Sequence, residues 1–275
     1  MLQKYSYAFI EGDHRQIYLM ERFASEGALC ISYGLPKAVN PHIRYAASLE
    51  EAVKNSKNIL CPIPFTQNNT IDPEELTAYL SKGQTLYGGC LPHQLVEDLD
   101  AKNITCYDYM QSEELTIFNT IATAEGIIAE AIIKYPYNLH KAKCLIMGYG
   151  RCGRTLADKL KGLQSDVTIC TRQRLSHILV DSLGYRSIYP SELAECIADY
   201  DLIFNTVPEL VLNLPILEKM TRDQYIFDIA SLPGGVDLKT AQRLNLHTGL
   251  YPGLPGKYSP QASADALYEF ILGTI

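Results

Sequence analysis

The stretch CLIMGYGRCGRTLADKL, Cys144–Leu160, decides how the second half of this chain folds. An apolar run, Cys144–Met147, leads into Gly148, Gly150 and Gly153, which are spaced GxGxxG and followed by a helical pattern. A second apolar run, DVTICT (Asp166–Thr171), comes at the distance expected for the next parallel strand. In that context each glycine has a job. Gly148 permits a tight turn, Gly150 lets the backbone approach a pyrophosphate, and Gly153 lets helix and strand pack closely. The start of the helix adds free N–H donors and a partial positive charge. Gly148, Tyr149, Gly150, Arg151, Cys152 and Gly153 are therefore candidate dinucleotide-binding residues. The bland alternative is a glycine-rich turn that holds nothing.

The residues after the second strand choose the cofactor. A carboxylate there accepts from the 2′-hydroxyl of NAD. This chain has Thr171, Arg172 and Arg174 instead. The planar fork of an arginine suits a 2′-phosphate, so NADP is expected. NTVP, Asn205–Pro208, ends a further strand, and ligands bind beyond the carboxyl ends of parallel strands. Asn205, Thr206, Val207 and Pro208 join the cofactor-binding set, with Asn205 expected on the nicotinamide side.

Outward from this motif, the chain keeps an α/β rhythm. MLQKYSYAFIEGD begins it as strand and turn, RQIYLMERFASEG follows as an amphipathic helix, and LCISYG and NILCPIPF are further strands. Ser112–Pro136 forms one long helical pattern, with Ser112 as N-cap and Pro136 as its stop. The expected fold is α/β: two doubly wound, parallel-sheet, Rossmann-like domains separated by a cleft and joined by that helix. The boundaries expected are 1–118 for a substrate-side domain, with the C-terminal helix 261–275 returning to it, and 119–260 for the NADP-binding domain.

Composition excludes several function classes. The chain has 275 residues, is 47% hydrophobic and carries a net charge of −7, which disfavours nucleic acid and anionic membranes. Its eight cysteines form no CxxC pair, so neither a metal site nor a disulfide framework is expected. The apolar run GIIAEAII is too short to cross a bilayer, and no signal-peptide pattern is seen, so a cytoplasmic protein is expected. A hydroxyacid dehydrogenase needs a histidine acid/base and an arginine for the substrate carboxylate, but LPGGVD follows DIAS (Asp228–Ser231) with no arginine. His247 opens a predicted strand and has no evident partner.

EGDHRQ (Glu11–Gln16), TAEGII (Thr123–Ile128), GYGRCGR, NTVP, DIAS and GLPGK (Gly253–Lys257) are spread through both halves. Through them the chain resembles the A subunits of dipicolinate synthase. That resemblance implies a dehydrogenase that makes dipicolinate in the mother-cell cytoplasm of spore-forming bacteria, together with a flavoprotein-like B subunit. The implied substrate is the small heterocyclic dicarboxylate of the lysine pathway branch, and NADP is the cofactor.

A dianionic substrate needs cations. Arg15, oriented by Asp13, and Lys257 are expected to clamp its two carboxylates from opposite halves of the chain. Asn119 and Thr123 share a face of the long helix, with Thr120 and Glu125 nearby, and are expected to line the cleft. No residue is nominated as the general base. Two alternatives stay open: another two-domain NAD(P)-dependent hydroxyacid or amino-acid dehydrogenase, and a non-catalytic NADP-binding subunit that organises a partner. A homo-oligomer is also open, since self-association is common for such enzymes.

Overall fold

The apolar runs form strands buried on both faces, as a parallel sheet covered by helices requires. A computed structural model of the chain describes residues 5–37, 40–66 and 71–275, so the start of the stretch MLQKYSYAFIEGD, residues 1–4, lies outside the described residues, while its strand Tyr7–Ile10 lies within them. The chain divides into two compact units, one made of Met1–Phe118 with Ser259–Ile275 and the other of Asn119–Tyr258.

In the first unit the strands are β1 (Tyr5–Ile10), β2 (Cys30–Tyr33), β3 (Ile43–Tyr45), β4 (Ser56–Leu60), β5 (Thr85–Gly88) and β6 (Thr105–Asp108). Their order is β3-β2-β1-β4-β5-β6, all pairs parallel. The second unit holds β7 (Lys143–Met147), β8 (Asp166–Cys170), β9 (Arg186–Ile188), β10 (Leu202–Asn205), β11 (Tyr225–Asp228) and β12 (His247–Leu250). Their order is β12-β11-β10-β7-β8-β9, again all parallel. Both sheets follow the doubly wound order, in which the winding reverses beside the first strand of the unit and opens a crevice at its carboxyl end. In the second unit that strand is β7, which carries the glycine motif. Three short strands, β3, β5 and β6, carry no alternation strong enough to be read from sequence.

The long helix is Glu113–Lys134, capped as expected by the Ser112 hydroxyl, which accepts from Leu115 N at 3.3 Å. It has the length and mean hydropathy, 1.3, of a membrane span, and so exceeds the short apolar run visible in the sequence. Half of that window is buried inside the fold. Ala124, Ile127, Ile128 and Ala131 pack into the core beneath β7 and β10, so the apolarity serves the interior. The C-terminal helix, Pro260–Leu272, packs in the first unit on helix His14–Ser25. There Arg22 pairs with Asp265 at 2.5 Å and Tyr268 meets Phe23 at 4.6 Å between ring centroids.

Candidate dinucleotide site

The turn after β7 has the geometry its glycines predict. Gly148 adopts φ +92°, in the region that L side chains rarely adopt, and donates its N–H to the Cys170 carbonyl at 2.8 Å. A Cβ on Gly153 would collide with the Gly148 carbonyl oxygen, so only glycine lets the helix start press against the turn. A Cβ on Gly150 would meet nothing within 4 Å. Its open side faces the start of helix Arg151–Gly162, which has no side-chain cap and no acidic residue in its first turn. Uncapped N–H donors beside an unfilled glycine suit a pyrophosphate, and the residues present fit a dinucleotide. Tyr149 is buried and its carbonyl accepts from Arg154 Nε at 3.2 Å. Burial holds the Cys152 thiol above its ordinary value against the opposing pull of Arg151, which disfavours a thiolate nucleophile.

Beyond β8, Thr171 is buried and its hydroxyl accepts from Gln173 N at 3.4 Å. Its carbonyl meets His177 Nε2 at 2.8 Å, and the His177 ring stacks on Tyr189 at 3.8 Å, so this histidine is a satisfied core residue. Arg172 and Arg174 are exposed. Arg172 Nη1 lies 3.3 Å from Glu209 Oε2, a partner just past NTVP that the sequence did not single out.

Asn205 requires a correction. Its side chain is fully buried rather than turned to a cofactor. The amide donates to Asp228 Oδ1 at 2.8 Å and to the Val207 carbonyl at 3.0 Å, and Asn205 Oδ1 accepts from Val207 N at 3.1 Å. Asp228 also accepts from Ala230 N at 3.0 Å and Gly235 N at 2.8 Å. Asn205 and Asp228 therefore tie together the loops after β10 and β11. An aspartate ending an apolar strand and followed within seven residues by Pro-Gly-Gly was the available signal. Thr206 donates its hydroxyl to the Met147 carbonyl at 2.8 Å, and Thr206 and Val207 crowd the Cβ position of Gly148. Pro208 is exposed beside them.

Lys257 also departs from expectation. GLPGK forms a short helix, Leu254–Tyr258, rather than a stiff loop. Lys257 Nζ meets Glu130 Oε1 at 2.5 Å, and the Tyr258 hydroxyl donates to the same oxygen at 2.7 Å. Glu130 is buried on the long helix, and the Lys257 bond, offset in part by burial, holds its carboxyl below the usual value. A Cβ on Gly126 would press Leu254 and Tyr258, so TAEGII and GLPGK meet because Gly126 has no side chain. Thr120, near the level of the glycine turn, bonds Thr155 at 2.7 Å. Glu130 is ten residues further along, about 15 Å at 1.5 Å per residue. Lys257 thus points down the helix, away from the turn. Thr123 donates its hydroxyl to the Asn119 carbonyl at 2.8 Å, Asn119 is half-buried, and Glu125 pairs with Lys159 at 2.7 Å.

In the first unit, Asp13 caps helix His14–Ser25 by accepting from Arg15 N at 2.9 Å. Arg15 is buried, and its Nε and Nη2 bond the Asp13 carboxylate at 2.7–3.0 Å. Nη2 also donates to the Ile63 carbonyl at 2.6 Å. Arg15 therefore joins the loops after β1 and β4 at the crevice of its own sheet. His247 lies at the opposite end of its sheet from the glycine turn and stacks on Tyr225 at 4.3 Å, which removes it as an acid/base there. Among the described residues no cluster of side chains suits a metal ion.

Known proteins resemble this chain in sequence and in fold. Residues 6–110 match the family described as the N-terminal domain of the dipicolinate synthase A subunit. The crystal structure of the dipicolinate synthase A subunit from Bacillus halodurans superposes with a TM-score of 0.88 at 25% identity, covering 100% of this chain and 98% of that one. The chain is similar to the dipicolinate synthase A subunits in sequence and in fold. The dipicolinate synthase A subunit of Bacillus subtilis (strain 168) is 33% identical over 157 residues, 57% of this chain and 53% of that protein. That aligned stretch spans about half the length of the curated relative. A transhydrogenase from Sinorhizobium meliloti shares the fold, with a TM-score of 0.71 at 15% identity over 98% of this chain and 94% of that one. The shared architecture is two parallel six-stranded sheets with flanking helices.

Proposed function

We propose that this chain binds NADP at the Gly148–Gly153 turn and oxidises dihydrodipicolinate to dipicolinate, working with a B subunit in the cytoplasm of a spore-forming bacterium. The observation that carries the reading is the open side of Gly150 against an uncapped helix start, in a chain whose relatives are dipicolinate synthase A subunits. The substrate has two carboxylates and a partly reduced pyridine ring. Loss of a hydride from a ring carbon and of a proton to water leaves an aromatic ring, so the protein chiefly has to bind and orient. NADP⁺ supplies the hydride acceptor. The N–H groups after Gly150 hold the pyrophosphate, and Arg172 and Arg174 face the 2′-phosphate. Arg15 offers Nη1 to a substrate carboxylate while Asp13 and the Ile63 carbonyl fix its fork. Lys257, engaged by Glu130, drops out of the clamp, and Asn119 keeps a supporting role in lining the site.

The test generates the heterocycle in situ from pyruvate and aspartate semialdehyde, then follows reduced nicotinamide and dipicolinate with NADP⁺ or NAD⁺, with and without the partner. Equal formation of both products with NADP⁺ is expected. Arg15→Ala is expected to cut turnover and leave NADP affinity unchanged. A second reading, a non-catalytic NADP-binding subunit, is favoured by one observation. The carboxylate at the rim, Asp228, is buried and engaged by the Asn205 amide and the Ala230 and Gly235 N–H groups. Tight NADP binding with no turnover under any condition would select it.

A further inference from the structure

Glu209 and Arg172 stand on the two loops that flank the glycine turn. Arg172 follows β8, and Glu209 follows β10; both strands pair directly with β7. With neighbouring strands about 4.8 Å apart, their ion pair bridges some 10 Å of sheet edge across β7, the strand that leads into Gly148. The pair is exposed, Arg172 at 74% and Glu209 at 62% of their side-chain surface, so no core packing requires it. The arginine nominated for a 2′-phosphate is therefore already held by a carboxylate from the far side of the turn.

We propose that Glu209 sets the choice between NADP and NAD by latching Arg172 across the mouth of the dinucleotide site. This rests on the proposed dinucleotide function. Two physical consequences follow. A dinucleotide without a 2′-phosphate leaves the Arg172–Glu209 pair closed and gives up nothing. A 2′-phosphate has to draw Arg172 away from Glu209 before it gains the guanidinium, so only the phosphorylated cofactor gives up the ion pair. Glu209 thus lowers the preference for the phosphorylated cofactor below what Arg172 alone would give. The latch is a surface pair, weak enough to open on binding.

The experiment is direct titration of the full chain with NADPH and NADH, read by nicotinamide fluorescence, in the wild type, Glu209→Gln, Arg172→Ala and the double variant. Glu209→Gln is expected to raise the ratio of NADPH to NADH affinity by about fivefold, the upper end for an exposed pair. In the Arg172→Ala background the same substitution is expected to leave the ratio nearly unchanged, because the latch needs both partners. A ratio unmoved or lowered by Glu209→Gln overturns the proposal. So does an equal rise in the Arg172→Ala background, which would mean simple charge repulsion. Failure of the wild type to bind either dinucleotide overturns the site itself, an outcome distinct from binding with an unaltered ratio.

Discussion

Gly150 and Gly153 sit three residues apart in one motif, yet alanine at each is expected to have opposite consequences. At Gly153 the new methyl group collides with the Gly148 carbonyl oxygen, a backbone atom that moves only if helix and turn separate. Overpacking of this kind costs about 1–3 kcal/mol. Alanine recovers up to about 1 kcal/mol through helix propensity, so a net loss near 1–2 kcal/mol is expected. For a unit of this size that corresponds to a fall in Tm of about 3–8 °C. At Gly150 the methyl group enters open space, and the φ of −80° suits any residue. Stability should then stay within about 1 kcal/mol of the wild type, the range for a changed N-cap. The same methyl group occupies the approach of the pyrophosphate, so NADPH affinity should fall at least about tenfold, or about 1.4 kcal/mol. Calorimetry and fluorescence titration on both variants decide the matter. A Gly150→Ala protein that binds as the wild type does would refute the assignment of that open side to a ligand. An unshifted melt for Gly153→Ala would refute the close-packing account.

Further outcomes can be checked alongside. Asp228→Ala leaves the Asn205 amide and the Ala230 and Gly235 N–H groups without their acceptor, and should destabilise the protein by about 3–5 kcal/mol in denaturant unfolding. Lys257→Met should lower the Tm more at pH 7 than at pH 3.5. The folded-state carboxyl of Glu130 is held below 4.5, so its stabilising contribution is present above that pH and fades as pH falls through the depressed folded value. The same variant should retain NADPH affinity, measured by titration, because Lys257 lies along the helix from the glycine turn. Gly126→Leu should loosen the packing of helix Leu254–Tyr258, seen as faster amide exchange in that segment.

Much of this protein is legible in its amino-acid sequence. Periodicity and the GxGxxG spacing determined the parallel α/β class and the location of the glycine turn, because those features depend on neighbours a few residues away. The N-cap at Ser112 and the roles of Gly148 and Gly153 are local in the same sense. What only the tertiary structure decided is where side chains go once distant segments meet. Lys257 looked free because its partner, Glu130, lies 127 residues away on a helix that only Gly126 allows it to approach. Asn205 looked like a ligand contact because strand ends border the site, but a buried Asp228 on the adjacent strand takes its amide. Glu209 gained a role only when β8 and β10 came to lie on either side of β7. Hydrogen bonding and ion pairing act over a few ångströms in space, and a linear sequence does not contain those distances.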